Sequence, residues 1–390
     1  MGIIGWSMIP VGEYPDRTYL DLLLEVLRGS VADAGLGFGD VDGLYVTPDD
    51  FGARATPMLA TRLPEILGTP TRTLSLVDCG GMTGALAIKS AVQDLRTGQA
   101  DVAVVAAGSK TARSGLRGDP RVFLDRMLHL QLSIMGPWVF PYSSGAPVPL
   151  YAMATQRYMR EHGVSAEAIA SVPVALRRNA GANPIAQFRD PITVEDVLAS
   201  KIISPPIHLL ECCSMSETGG ALVLASERAV GKLGRDAVWV TGIGEWHAPT
   251  HFTPARERID RFPAVAHSGA EAFARAGVSP GDVDVAEVYG AFAATELITY
   301  EELGFFPEGK AGAAVAEGRT GPGGRPVINP SGGRLSLGHA PVVTPILETI
   351  EVASQLAGRA GDRQVSPARV GLVQAEHGMD NGSLVMVLEA

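Results

Sequence analysis

The chain echoes itself once, and that echo limits what it can fold into. Residues 31–46 read VADAGLGFGDVDGLYV and residues 273–288 read FARAGVSPGDVDVAEV. Both strings end a helical pattern in Ala-Gly, turn through Gly-Asp-Val-Asp and enter an apolar strand. Glycine closing an apolar-periodic stretch is a helix C-cap signal, and acidic turn residues lead into the strand. The echo continues. TLSLVD (73–78), a glycine turn at Cys79, a helix over 82–95 and the strand DVAVVAAG (101–108) have their counterpart late in the chain. There a glycine-rich turn (331–333) and Gly338-His339 precede a helix over 343–356 and the strand RVGLVQAE (369–376). Two copies half a chain apart differ from a solenoid, which stacks several short repeats. Strand–helix–strand halves predict an α/β protein with mostly parallel sheets covered by helices. They also place Cys79 and His339 at the openings of related helices near the centre.

Between the halves, residues 112 to about 215 break the pattern, with Gly136-Pro137, Pro141, Pro147, Pro149, Pro184, Pro191, Pro205 and Pro206 and helices near 150–162, 165–180 and 193–200. This reads as a long loop domain, the natural site of a lid or platform. The predicted division is 1–111 with 216–235 as the N-terminal half, 112–215 as the insertion and 236–390 as the C-terminal half.

Composition excludes several classes. No apolar run approaches the roughly 18 residues of a membrane span, and the start MGIIGWSMIP lacks a signal-peptide pattern. Three cysteines, two of them adjacent (Cys212, Cys213), make no disulfide framework; a reducing cytoplasm fits. The net charge of −10 argues against nucleic acid. It leaves room for a polyanion at a local basic patch, with Arg177, Arg178 and Lys201 as candidates. Cys212 and Cys213 lack partners at zinc-site spacing, and no metal is expected.

Four strings carry chemistry. In VDCGGMTGALA, Cys79 lies between strand and helix, where unpaired N–H groups and the dipole would favour a thiolate. In NPSGGRLSLGHAPVV, His339 is placed for proton transfer or oxyanion stabilisation. Tyr289 opens YGAFAATELITYEELGFF at a strand end. AEHGMDNGS crowds Glu376, His377 and Asp380 around a glycine turn as candidate acids and bases.

Together these strings, in this order over nearly the whole chain, resemble the thiolase superfamily, in particular its sterol-carrier-protein-type branch of thiolases and thiolase-like lipid-transfer proteins. The segment 177–213 is similar to that branch's loop-domain tail, and 283–305 to its Asn-Glu-Ala-Phe or His-Asp-Cys-Phe block. The resemblance implies a five-layered αβαβα fold and an acyl-CoA C-acyltransferase. Cys79 would hold the acyl group, the backbone N–H groups of Cys79 and Gly378 would form one oxyanion hole, and His339 would line the other and activate the thiol. Coenzyme A and its esters would be substrates rather than bound cofactors. A homodimer is implied, with a separate OB-fold, zinc-ribbon acyl-CoA-binding protein as a further partner. The departures are specific. Glu376 stands where the family has its second cysteine, Ala291 where the variant block has one, and Tyr289-Gly290 where Asn-Glu or His-Asp opens the block. His377 or Glu376 would replace the lost cysteine, and Tyr289 would hold an oxyanion. Two rival functions are a retro-aldol carbon–carbon lyase on a 3-hydroxyacyl-CoA, which needs no nucleophilic cysteine, and a non-catalytic lipid-binding subunit. Cys79 together with His339 favours the acyltransferase over both.

Overall fold

The computed structural model describes residues 1–48, 58–110, 147–249 and 258–390. The first part of the expected insertion, with Gly136-Pro137 and Pro141, therefore lies outside the described residues. The strands are β1 (Gly2–Met8), β2 (Gly43–Val46), β3 (Thr73–Leu76), β4 (Val102–Ser109), β5 (Ile202–Ser204), β6 (Ile207–His208), β7 (Thr218–Ala225), β8 (Val238–His247), β9 (Val285–Val288), β10 (Val327–Ile328), β11 (Val370–His377) and β12 (Gly382–Glu389).

The echo is structural. The order β3-β2-β4-β7-β1 of the first half repeats as β10-β9-β11-β12-β8 in the second. The halves join into one ten-stranded sheet where β1 meets β8 antiparallel, through Gly2 opposite Trp239 and Ile3 opposite Val238. The mostly parallel sheets expected from the sequence are corrected to mixed ones. Strands β2, β3, β4 and β9, β10, β11 are parallel neighbours. By contrast, β7 and β12 run antiparallel to both of theirs. The reversal at β12 is a hairpin over Gly378–Asn381, with Gly378 and Asp380 in the left-handed region (φ 56° and 51°). A parallel neighbour would need a long crossover; a four-residue turn can only reverse the chain.

Strand residues alternate between layers, as a period of two requires. On β4, Ala103, Val105 and Ala107 face the central core, while Val102, Val104 and Ala106 face an outer core against helix Tyr19–Asp33. On β12, Leu384, Met386 and Leu388 face the centre, and Val385 and Val387 face a second outer core with helices Pro263–Ala276 and Ala293–Glu302. Between the sheets lie helices Thr83–Arg96 and Thr344–Leu356. The result is the expected five layers, αβαβα. Helices Val148–His162, Ala166–Gly181 and Val194–Ala199 lie where the inserted segment predicts them. Among the described residues, no helix is long and apolar enough to cross a membrane.

The central helices differ in how they are buried. All of Thr344–Leu356 is buried, including Glu348, Glu351 and Gln355, as expected of a helix enclosed on every side. Its carboxylates find internal partners: Glu351 with Arg363 at 2.7 Å and Glu348 with Arg334 at 2.9 Å. The two helices begin alike. Thr83 Oγ1 accepts from Cys79 N–H (2.8 Å) and donates to Gly80 C=O (2.6 Å), and Thr344 Oγ1 accepts from Ala340 N–H (3.2 Å) and donates to Ala340 C=O (2.6 Å). They approach closely at Gly84, where a Cβ would lie 2.7 Å from Val342 O and 3.0 Å from Ile346 Cγ1. Gly84→Ala should therefore cost about 1–3 kcal/mol by overpacking. A lower urea midpoint at unchanged slope is the expected result.

Candidate active site

Four chain segments converge where the halves meet. Strand β9 ends at Val288, and the next residue, Tyr289, is held by its N–H to Gln374 Oε1 of β11 at 3.0 Å. The Tyr289 hydroxyl bonds to His339 Nε2 at 2.7 Å, the two rings edge-on at 90°. Both side chains are buried, at 4% and 7% exposure. The other ring nitrogen of His339, Nδ1, lies 3.4 Å from Cys213 Sγ. Residues 212–216 strap the pair together. Cys213 N–H donates to Ala291 C=O (3.0 Å), His339 N–H to Ser214 C=O (3.0 Å) and Ser216 N–H to His339 C=O (2.8 Å).

The electrostatics around the pair are those of a dry site. Burial, then the Arg334 cation, depresses the His339 pKa to about 3, so the imidazole is neutral. Burial, then the Glu376 carboxylate, pushes the Tyr289 phenol well above its ordinary value, against the pull of Arg334. The Arg334 guanidinium lies 3.7 Å over the Tyr289 ring and is wholly buried, with Glu348 as its ion-pair partner. Burial raises Glu348 to about 7. Glu376 accepts from Asp380 N–H at 3.1 Å, and burial raises it to about 7 as well. Asp380 is buried beside it.

Cys79 has a different environment. It is part-exposed, and burial, then Glu245 and Asp78, raises its thiol pKa. The sequence reading expects a helix-stabilised thiolate at this position. The helix opens as a short 3₁₀ turn over Gly80–Met82, and carboxylates rather than cations face the thiol. The Cys79 N–H expected in an oxyanion hole is already donated to Thr83 Oγ1. Among the described residues, the ring nitrogens of His339 bond to Tyr289 and Cys213. His377, beside Gly80, bonds through Nε2 to His247 Nδ1 at 2.8 Å, and His247 Nε2 lies 2.7 Å from Glu245 Oε1. It belongs to this part-exposed chain, whereas Glu376 belongs to the buried cluster. Gly378 takes its left-handed turn between them.

Gly81 joins the two regions. A Cβ there would lie 2.5 Å from Glu376 O and 2.7 Å from Tyr289 Oη, so glycine lets the Cys79 loop close over the tyrosine. The basic candidates do not converge. Arg177 is bonded to Ser336 Oγ (3.3 Å) and stacks on Phe188, Arg178 lines a separate cleft with Arg325 and Arg363, and Lys201 is exposed. Sequence reasoning missed Cys213 and Arg334. Arg334 lies within NPSGGRLSLGHAPVV and Cys213 closes the segment 177–213, but their partners come from other segments, which no single string shows. Among the described residues, no group of His, Cys, Asp or Glu is arranged to hold a metal.

A buried acid–base cluster thus lies at the junction of two duplicated α/β halves. Residues 244–390 match the "Thiolase C-terminal domain-like" family. The chain is 30% identical over 375 residues to acetyl-CoA acetyltransferase of Methanothermobacter thermautotrophicus, covering 95% of this chain and 94% of that one. It is 30% identical over 389 residues to 17-hydroxy-3-oxo-4-pregnene-20-carboxyl-CoA lyase of Mycobacterium tuberculosis, covering 98% of each. The solved structure of an "Ltp2-ChsH2(DUF35) aldolase" superposes with a TM-score of 0.86 at 28% identity, covering 100% of this chain and 97% of that one. The protein belongs to the thiolase superfamily.

Glu348 and Arg334 give an asymmetric prediction. Arginine cannot shed its charge, so Glu348→Gln strands a buried cation and should cost about 3–5 kcal/mol. Arg334→Met leaves a glutamate already raised to about 7, which can take up a proton, and should cost less. Urea unfolding at pH 7 of both variants checks the order.

Proposed function

We propose that this protein is a carbon–carbon lyase that cleaves a 3-hydroxyacyl-CoA by a retro-aldol reaction. The observation that carries this reading is the buried Tyr289–His339 hydrogen bond, set beside a Cys79 thiol whose pKa is raised. An acyltransferase needs an activated sulfur; a retro-aldolase needs a base for a hydroxyl and an acid for a carbon. The 3-hydroxyl gives its proton to Tyr289 Oη as the phenol proton passes to His339 Nε2. The C2–C3 electron pair collapses into the thioester enolate, releasing an aldehyde or ketone. The protonated carboxyl of Glu376 delivers its proton to C2, yielding the shortened acyl-CoA. The proton on His339 then returns to the Glu376 carboxylate, and the cycle needs no co-reactant. Arg334 over the ring offsets negative charge developing on the phenol oxygen. Relatives named as a lyase and an aldolase support this reading, and the acetyltransferase relative supports the rival one.

The assembly is part of the proposal. The similar aldolase is named as Ltp2 together with ChsH2(DUF35), which favours a separate acyl-CoA-binding partner here. Among the described residues, strand β3 is a sheet edge with Leu76 half exposed, a surface that suits self-association as a homodimer. Coenzyme A enters as part of the substrate, and the cytoplasm is the compartment proposed.

The test compares a panel of 3-hydroxyacyl-CoAs with 3-oxoacyl-CoA plus coenzyme A, alone and with a candidate partner. Expected are carbonyl release from the hydroxy compounds, a loss of about 10²–10⁴-fold in Tyr289→Phe, and retained activity in Cys79→Ala. An acyl adduct on Cys79 by intact mass, with thiolysis of the oxo compound, would establish the acyltransferase instead. Because Glu376 must be protonated to act, kcat should fall as pH rises through about 7. Glu376→Gln should retain a low rate without that limb.

A further inference from the structure

The duplicated scaffold accounts for where His339 lies, but not for which of its ring nitrogens carries the proton. A neutral imidazole donates from one nitrogen and accepts at the other, and a burial-depressed His339 is neutral at working pH. Its Nε2 faces the Tyr289 hydroxyl at 2.7 Å and its Nδ1 faces Cys213 Sγ at 3.4 Å. The Arg334 guanidinium over the phenol ring draws density from that hydroxyl and favours it as the donor, against burial and Glu376, which raise its pKa. Tyr289 therefore donates to Nε2, and the imidazole proton resides on Nδ1. A sulfur at 3.4 Å is within reach of an N–H···S hydrogen bond.

Cys213 is also fixed from the tyrosine side. Its N–H donates to Ala291 C=O at 3.0 Å, two residues past Tyr289 in sequence, and Cys212 forms an antiparallel bridge with Phe292. Met215 bridges to His339 itself. One strap of chain is thus registered against both the loop that carries the phenol and the loop that carries the imidazole. We infer that Cys213 is a positioning residue whose sulfur accepts the Nδ1 proton of His339 and so selects the tautomer that leaves Nε2 open to Tyr289. Burial keeps its thiol neutral, with a pKa of about 12, so it does not act as a nucleophile.

This inference rests on the lyase reading for its kinetic consequence, though not for its spectroscopic one. The experiment uses the full chain labelled with ¹⁵N-histidine, with the His339 signals assigned by their loss in His339→Gln. Wild type should show Nδ1 protonated and Nε2 as the bare nitrogen. Cys213→Ala should lose that single tautomer. Its kcat on a 3-hydroxyacyl-CoA should fall about tenfold or more at unchanged KM, in the direction of the loss that follows a wrong tautomer in a catalytic triad. Cys213→Ser, which keeps an acceptor at the site, should restore the tautomer and most of kcat. Should the alanine variant fail to fold, Cys213→Val, which likewise offers no acceptor, decides by its tautomer. A wild-type tautomer and rate in Cys213→Ala would overturn the inference, as would Nε2 protonation in wild type. If wild type cleaves no hydroxyacyl-CoA and the tautomer still shifts in Cys213→Ala, the lyase reading fails and the role of Cys213 stands.

Discussion

The close crossing of the two central helices is the constraint from which the site follows. Helix Thr344–Leu356 is enclosed on all sides, so its start cannot move without disturbing both sheets. Gly84 lets the partner helix approach until its backbone meets Val342. The loops in front of the helices are thereby held together, and β9 and β11 add Tyr289 and Glu376 from the side. Precision comes from elements buried on both faces, while the side chains that do chemistry stand on the short loops those elements hold.

That enclosure also decides the electrostatics. Water is excluded around Tyr289, His339, Glu348 and Glu376, so each resists its charged form. Arg334 keeps its charge among them, buried between a carboxylate and an aromatic face. The outcome is a neutral phenol, a neutral imidazole and a carboxyl balanced near neutrality, a set suited to moving protons rather than to holding ions. Cys79 lies toward the rim, where carboxylates oppose a thiolate.

Much of the scaffold is legible in the sequence because duplication repeats local signals. The Ala-Gly caps, the Gly-Asp-Val-Asp turns and the paired helices all announce themselves in short strings. The antiparallel strands are not legible as such. The turn at Gly378–Asn381 that reverses β11 into β12 has the same glycine-rich, polar look as a catalytic loop, and as a string it reads as one. At the site, Tyr289, His339 and Glu376 stand out by their place at strand and helix ends, and all three lie in the buried cluster. Among the described residues, the bonds of the His339 ring go to Tyr289 and Cys213. A dipole argument leaves out side chains: Thr83 Oγ1, four residues on, takes the Cys79 N–H, and Glu245 reaches the thiol through the fold. Cys213 and Arg334 escape sequence reasoning on the same grounds.

The matched threonines that open the two helices, Thr83 and Thr344, show how little of this architecture is tied to one chemistry. The same hydroxyl closes the same turn in each half, yet one turn leads to a thiol and the other follows an imidazole. The scaffold thus offers two equivalent mounts whose occupants are free to diverge without altering the helices behind them. Either loop can thus change its chemistry alone, because the helix that holds it stays as it was.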